Sequence, residues 1–325
     1  MALALVRFAG GAVLAGLIAA CGGSAGEAKS PSDAAPGGSN DIGANHDADL
    51  AGAQGKTEEL ADAGSLAGLE HALAPGSLAG VARLNLAARA FGPELGGVLG
   101  RATALDGLVA LDVSDNGLGP NGVDSLATSP HLTTLRQLDL GGNDIADSGA
   151  GALGRSGRLA GLKVLNLSGN GIGPDGVRSL AESRLLDGIR SLDLSMNPIG
   201  EDGARALAAS SHLGNLRSLF LLGCDIGAAG ATALARSSAL RGLTVLALSG
   251  NGVGDVGARA VADAAGFDAL ETLDLSANSI NDAGAEALAA SAHLGHVRSI
   301  QLFGNDFGAQ GAVALTRRFG NALKL

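Results

Sequence analysis

The chain has 325 residues, 46% of them hydrophobic, with 53 glycines, no Trp or Tyr, and a formal net charge of -10. That supplies a sizeable core for one or two domains, and the acidic balance argues against nucleic acid, whose phosphates require clustered Lys and Arg. With two cysteines, Cys21 and Cys224, no internal disulfide framework can be read.

Residues 1 to 21 read MALALVRFAGGAVLAGLIAAC, with Arg7 as the single charge. The apolar run from Phe8 to Ala20 is short for a membrane span of about 20 residues. It suits the apolar region of a secretory signal peptide, residues 1–20. Ile18-Ala19-Ala20-Cys21 resembles the lipobox of bacterial lipoproteins. The resemblance implies cleavage before Cys21 and lipid on its thiol and new amine. With Gly22 rather than Asp next, it implies sorting to the outer membrane. A plain cleaved signal with an incidental cysteine is the alternative. The stretch from Gly22 to Lys56 is rich in Gly, Ser, Ala and Asp. It holds too little apolar surface to offset chain entropy, so residues 21–56 are expected to be a lipidated cysteine and a disordered tether. Gly22 to Gly26 fits G-x-S-x-G, but no strand precedes it and no helix follows, as a nucleophile elbow requires. Residues 57–80 are expected to form an N-terminal helical cap. Thr57-Glu58-Glu59 places carboxylates at a helix start, and Leu60, Leu66, Leu69 and Leu73 give it an apolar side.

From residue 81 a single unit recurs. LVALDVSDN, LRQLDLGGN, LKVLNLSGN, IRSLDLSMN, LRSLFLLGC, LTVLALSGN, LETLDLSAN and VRSIQLFGN start at 108, 135, 162, 189, 216, 243, 270 and 297, a constant 27-residue step. VARLNLAAR at 81 is a ninth, weaker copy, with Arg89 where the others have Asn and Leu95 where they have Gly. Positions 1, 4 and 6 of the unit are aliphatic, position 11 is apolar, and position 15 is Gly followed by Ala or Val. Position 9 is Asn116, Asn143, Asn170, Asn197, Cys224, Asn251, Asn278 and Asn305. The pattern L-x-x-L-x-L-x-x-[NC]-x-I-x-x-x-G-A-x-x-L resembles the leucine-rich repeat, in its ribonuclease-inhibitor-like class. The alternation at positions 4 and 6 reads as a short strand, and the small pair with Leu three residues on reads as a helix face. One such unit cannot bury its own apolar side, so units stack. Strands stack ~4.8 Å apart and helices 8–10 Å apart, so the stack curves with its sheet inside. The expected fold is an α/β leucine-rich repeat solenoid over residues 81–325, a horseshoe of nine repeats with an inner parallel sheet, outer helices and a C-terminal cap at Phe319 and Leu323. The position-9 Asn residues should form an interior structural ladder. Cys224 reads as a buried free thiol in that ladder.

A second, 81-residue period relates Asp106, Asp187 and Asp268, then His131, His212 and His293, then Asp144, Asp225 and Asp306. It indicates duplication of a three-repeat block. Histidines three coils apart stand at least ~14 Å from one another, too far to share a metal.

Gly171-Ile172-Gly173-Pro174-Asp175-Gly176 is a G-x-G-x-x-G between a strand and a helix, with Asp193 placed 22 residues on. That is the context of a dinucleotide fingerprint. The same motif recurs at Gly117 to Gly122 and Gly252 to Gly257, in register, with Asp139 and Asp274 in the corresponding places. Recurrence marks it as the corner of a coil, and neither a nucleotide nor any other cofactor is expected.

The inner strand face is the candidate site. Position 5 reads Asn85, Asp112, Asp139, Asn166, Asp193, Phe220, Ala247, Asp274 and Gln301. A solvated face is one reading, with Arg136, Lys163, Arg190 and Arg217 at position 2 neutralising the carboxylates; a site for a cation or basic peptide is the other. Repeat six breaks the row. Phe220 and Leu222 point into the concavity, Met196 and Val245 lie on neighbouring coils, Phe303 lies three coils on, and Asp193 and Arg217 flank them. An apolar cluster inside a polar rim is how binding surfaces concentrate energy. The favoured reading is a non-enzymatic, envelope-tethered module binding a protein or peptide partner there. A structural or adhesive protein without a discrete ligand is the alternative. A GTPase-activator-like regulator is third: Ran-type activators resemble this repeat class, but export separates the chain from cytoplasmic GTPases.

Overall fold

The computed structural model describes residues 56–60 and 64–325; the signal-peptide, Cys21 and tether expectations lie outside them, apart from Lys56. The described residues form one sheet of eleven parallel strands, each bonded to its neighbours in sequence. The strands are β1 Lys56–Glu59, β2 Val81–Asn85, β3 Ala110–Asp112, β4 Gln137–Asp139, β5 Val164–Asn166, β6 Ser191–Asp193, β7 Ser218–Phe220, β8 Val245–Ala247, β9 Thr272–Asp274, β10 Ser299–Gln301 and β11 Leu323–Lys324. Between them run α1 Leu66–Ala72, α2 Glu94–Arg101, α3 Gly119–Ala127, α4 Ala146–Arg155, α5 Pro174–Ala181, α6 Gly200–Ala209, α7 Gly227–Ala235, α8 Gly254–Ala262, α9 Asp282–Ala290 and α10 Ala309–Phe319. Each repeat is thus one strand and one helix per coil. Register places position 5 opposite position 5 along the sheet, as in Asn166, Asp193, Phe220, Ala247 and Asp274.

The core lies between sheet and helices. Position 4 supplies Leu138, Leu165, Leu192, Leu219, Leu246 and Leu273, all fully buried, and position 11 adds Ile145, Ile172, Ile199 and Ile226. The core runs continuously from Leu69 to Phe319 within the described residues. Gly176 shows why position 15 stays small: a Cβ there would lie 2.8 Å from Ile172 Cγ2 and 2.5 Å from Asp147 Oδ1.

Three hydrogen-bonded ladders join the coils. In the first, Asn143 donates through Nδ2 to the carbonyls of Val113, Leu140 and Gly141 at 3.0 to 3.1 Å. Its Oδ1 accepts from Asn116 N at 3.1 Å and Leu118 N at 3.2 Å. Asn170 and Asn251 repeat this pattern of donation, and Asn116, Asn197, Asn278 and Asn305 carry it along the solenoid. In the second, hydroxyls cap helix ends: Ser129 meets Gly100 O, Ser156 meets Ala127 O, Ser183 meets Gly154 O and Ser210 meets Ala181 O, at 2.5 to 2.9 Å. In the third, a helix-start Asp caps the next helix: Asp147 Oδ1 accepts from Gly173 N at 2.6 Å and Gly176 N at 3.0 Å.

One expectation fails at the N-terminus. Thr57-Glu58-Glu59 does not begin a helix but lies in β1, pairing in parallel with β2. Pairing satisfies the backbone groups that β2 would otherwise leave open at the sheet edge, and this outweighs the local helix signal of the acidic residues. The helix starts later, at Leu66, capped by Ser65, whose hydroxyl accepts from Gly68 N at 3.1 Å. At the other end β11 pairs with β10, and Phe319 is buried beneath the guanidinium of Arg318, 5.5 Å from its ring centre.

Candidate functional site

Most of the polar row on the inner face has a local task. Asn85, Asp112, Asp139, Asn166, Asp193 and Asp274 each accept, through Oδ1, the amide two residues on, at 2.8 to 3.0 Å. These Asx-turns end the strands. Asp139 also accepts from Asn166 Nδ2 at 2.9 and 3.1 Å. Burial, with the adjacent Asp112 carboxylate as the next contribution, lifts its pKa from 3.8 to about 6.

Three of the four cations at position 2 meet backbone carbonyls. Arg136 Nη1 donates to Leu135 O and Gly161 O, Lys163 Nζ to Gly188 O, and Arg217 Nη1 to Leu216 O and Gly242 O. Among the described residues no group of three or more His, Cys, Asp or Glu is placed to hold a metal ion.

Repeat six departs at two of these polar positions. Phe220 replaces the turn-forming acid, and the amide of Leu222 is met instead by Ser195 Oγ of the preceding coil at 3.2 Å. Cys224 replaces the ladder Asn. Its Sγ lies 3.2 Å from Leu194 O, but it offers no oxygen to the amides of Asn197 and Ile199; the latter turns to Asn197 O at 2.8 Å. Burial raises the Cys224 thiol to about 12, which makes it inert at neutral pH.

The predicted apolar cluster divides. Phe220 and Val245 are 6% and 2% exposed, so they are not free anchors. Met196 and Phe303 are 43% and 45% exposed, and Leu222 is half-buried. Met196 and Leu222 are neighbours at the C-terminal edge of the sheet: Met196 N donates to Leu222 O at 2.7 Å, and the Met196 sulfur lies over Gly223. Phe303 stands three strands from β7, beside Ala277, whose amide donates to Phe303 O at 2.7 Å. Asp193 is half-buried and Arg217 is exposed.

Met196 shares a left-handed backbone with Ala88, Asp115 and Ala277 of other repeats, but carries the longest side chain of the four. Its φ is 57°, in the left-handed region, at a position where other repeats place Gly142, Gly169, Gly223, Gly250 and Gly304 with φ of 59 to 68°. A long side chain there carries a strain of about 1–2 kcal/mol that glycine avoids.

In the loop Gly171 to Gly176, Ile172 N donates to Asn197 Oδ1. Gly173 N and Gly176 N, the donors a nucleotide would need, are held by the Asp147 carboxylate. Gly119 N and Gly254 N of the other two loops donate to Asn143 O and Asn278 O.

A leucine-rich repeat family profile matches residues 108–127, 131–154, 162–181, 189–208, 212–235, 241–262, 270–289 and 293–315, more than half of the chain. The chain belongs to the leucine-rich repeat family. No curated protein matches it significantly. Among solved structures it is similar to a chain in the Rad7–Elc1 complex of yeast, at 15% identity and a TM-score of 0.42, covering 67% of this chain and spanning 62% of that one. It is also similar to an internalin from Listeria monocytogenes, at 14% identity and a TM-score of 0.45, covering 79% and 69% respectively.

Within the repeat framework, the 81-residue period has a structural expression. His131, His212 and His293 place Nδ1 at 3.0, 2.8 and 2.9 Å from Asp106, Asp187 and Asp268 of the coil before. The two series, read apart in sequence, form three equivalent pairs on the outer loops, 25 residues between partners. The serine ladder was equally available as a 27-residue recurrence and carries no apolar signature to draw attention to it.

Proposed function

We propose that this leucine-rich repeat chain, of the ribonuclease-inhibitor-like class, is a non-enzymatic binding module of the cell envelope. It captures a protein or peptide partner at the C-terminal rim of its inner face, around Met196 and Leu222. Residues 1–20 act as a signal peptide, Cys21 carries lipid at the outer membrane, and residues 21–56 tether the solenoid. Among the described residues no helix is long and apolar enough to cross a membrane. The observation that carries the binding reading is Met196: an exposed apolar side chain held in a strained left-handed conformation, where glycine would fold more easily. Strain of this kind points toward function rather than folding. Leu222 beside it extends the apolar contact, and Asp193, on the same coil as Met196, provides charge on the inner face; Arg217 lies at the opposite edge of the sheet, against Leu216 O and Gly242 O.

Crosslinking on intact cells tests this. Wild type should capture a saturable partner, and Met196→Gly with Leu222→Ser should lose it. The 81-residue duplication favours a second reading, an adhesive or structural protein without a discrete ligand. Failure of wild type to capture any saturable partner would support that instead. Palmitate labelling that disappears in Cys21→Ser is expected for the lipid anchor, and labelling that persists would refute it.

A further inference from the structure

The two edges of the sheet carry opposite charge over repeats three to six. At the C-terminal edge, residues 139–149, 166–176, 193–203 and 220–230 contain eight acids and no Lys or Arg. At the N-terminal edge, where helices end and strands begin, Arg136, Lys163 and Arg217 project from the strand starts, and Arg158, Arg184 and Arg241 from the preceding loops. Among the described residues none of these six forms an ion pair. Arg178 and Arg205, on the helices of the same repeats, are both paired. The acids that repeats three to six place on the basic edge are Glu182 and Asp187, and Asp187 is taken by His212.

These cations are not consumed by the fold. Helix C-termini attract positive side chains, yet the carbonyls of Gly154, Ala181 and Ala208 are already met by Ser183, Ser210 and Ser237. Arg136, Lys163 and Arg217 each contribute one nitrogen to strand-start carbonyls, which orders their side chains while leaving other N–H groups outward. The patch is confined: beyond it Arg101 pairs with Glu70 and Arg298 with Glu271. Four coils give it a width of about 15 to 30 Å, from strand and helix spacing.

We propose that this N-terminal edge of repeats three to six docks on an anionic phospholipid surface. The choice of occupant rests on the anchored reading given above and on where the chain enters the fold. Lys56, the first residue of β1, pairs with Val81 at this same edge. A chain anchored upstream of Lys56 therefore enters the solenoid on the side of this edge. Docked this way, the solenoid turns the Met196–Leu222 rim away from the lipid.

The test is sedimentation of residues 22–325, unlipidated, with vesicles of phosphatidylcholine alone or with phosphatidylglycerol making up about one lipid in three. The continuous core within the described residues makes this fragment a folded unit. Wild type should partition onto anionic vesicles and not onto neutral ones. Raising salt from about 0.1 to 0.5 M should release it, because such attraction is screened within a Debye length. Arg158→Glu with Arg184→Glu and Arg241→Glu, which disturbs no side-chain hydrogen bond, should lower partitioning about 100-fold or more. Arg136→Glu with Lys163→Glu and Arg217→Glu should do the same if its far-ultraviolet melt is intact. Arg178→Glu with Arg205→Glu is the control and should change little. Equal partitioning onto both vesicles, an unaffected loop variant, or capture by soluble polyglutamate without vesicle binding would overturn the proposal. Since no lipid is attached, failure here leaves the Cys21 labelling result independent.

Discussion

The coil beginning at Leu162 and the coil beginning at Leu216 have the same length and follow the same path. In the first, Asn166 closes the strand with an Asx-turn and Asn170 ties three carbonyls and two amides together. In the second, Phe220 and Cys224 occupy those places; the turn amide is met by a serine of the previous coil, and one ladder amide turns back on its own coil. The comparison separates polar residues that fold the solenoid from apolar residues that do not. The inner-face Asp row, which looks like a ligand surface, is mostly strand punctuation. Repeat six gives up this punctuation and, with Met196 of the coil before, forms an apolar rim.

The largest expected effect sharpens that contrast. Asn170→Ala should lower stability by about 3 kcal/mol or more, since it leaves several buried backbone groups unpaired. Cys224→Ala should cost about 1 kcal/mol or less by the same urea titration. Similar losses at both sites would break the distinction. Next is Asp147→Ala, which frees the amides of Gly173 and Gly176 and should cost about 1–2 kcal/mol. Cys224→Asn should go the other way, adding about 1 kcal/mol by offering Asn197 N and Ile199 N an amide oxygen in place of sulfur.

The smallest effect concerns Asp139. Its folded pKa of about 6 lies above its usual 3.8. Ionisation therefore destabilises the fold; this penalty is absent below about pH 4, grows between pH 4 and 6, and is complete above. Asp139→Asn keeps an acceptor for Gly141 N, should raise stability at pH 7.5 by about 1 kcal/mol, and should flatten the pH dependence between pH 4 and 6. Unfolding curves at pH 4 and 7.5 measure both.

The solenoid and its Asn ladder were legible because each coil buries the same side chains, and burial writes a strict 27-residue period. The fate of Thr57 to Glu59 was not, because local acidic residues signal a helix start while the open edge of β2 is a tertiary demand. Nor was the burial of Phe220 and Val245: alternation says which face a strand residue is on, but the curvature of the sheet decides how much water reaches it. The strain at Met196 was hidden for a related reason. The position is glycine in five repeats, but Asp115 and Ala277 also occupy it, so composition alone does not reveal its left-handed backbone.

The central claim is that the Met196–Leu222 rim is shaped by binding rather than by folding. Its most direct test is to measure urea stability and partner capture together for Met196→Gly. Glycine relieves the left-handed strain and removes the exposed side chain, so stability should hold or rise by up to about 1 kcal/mol while capture falls. Unchanged capture with a loss of stability would contradict the account, because Met196 would then be serving the fold.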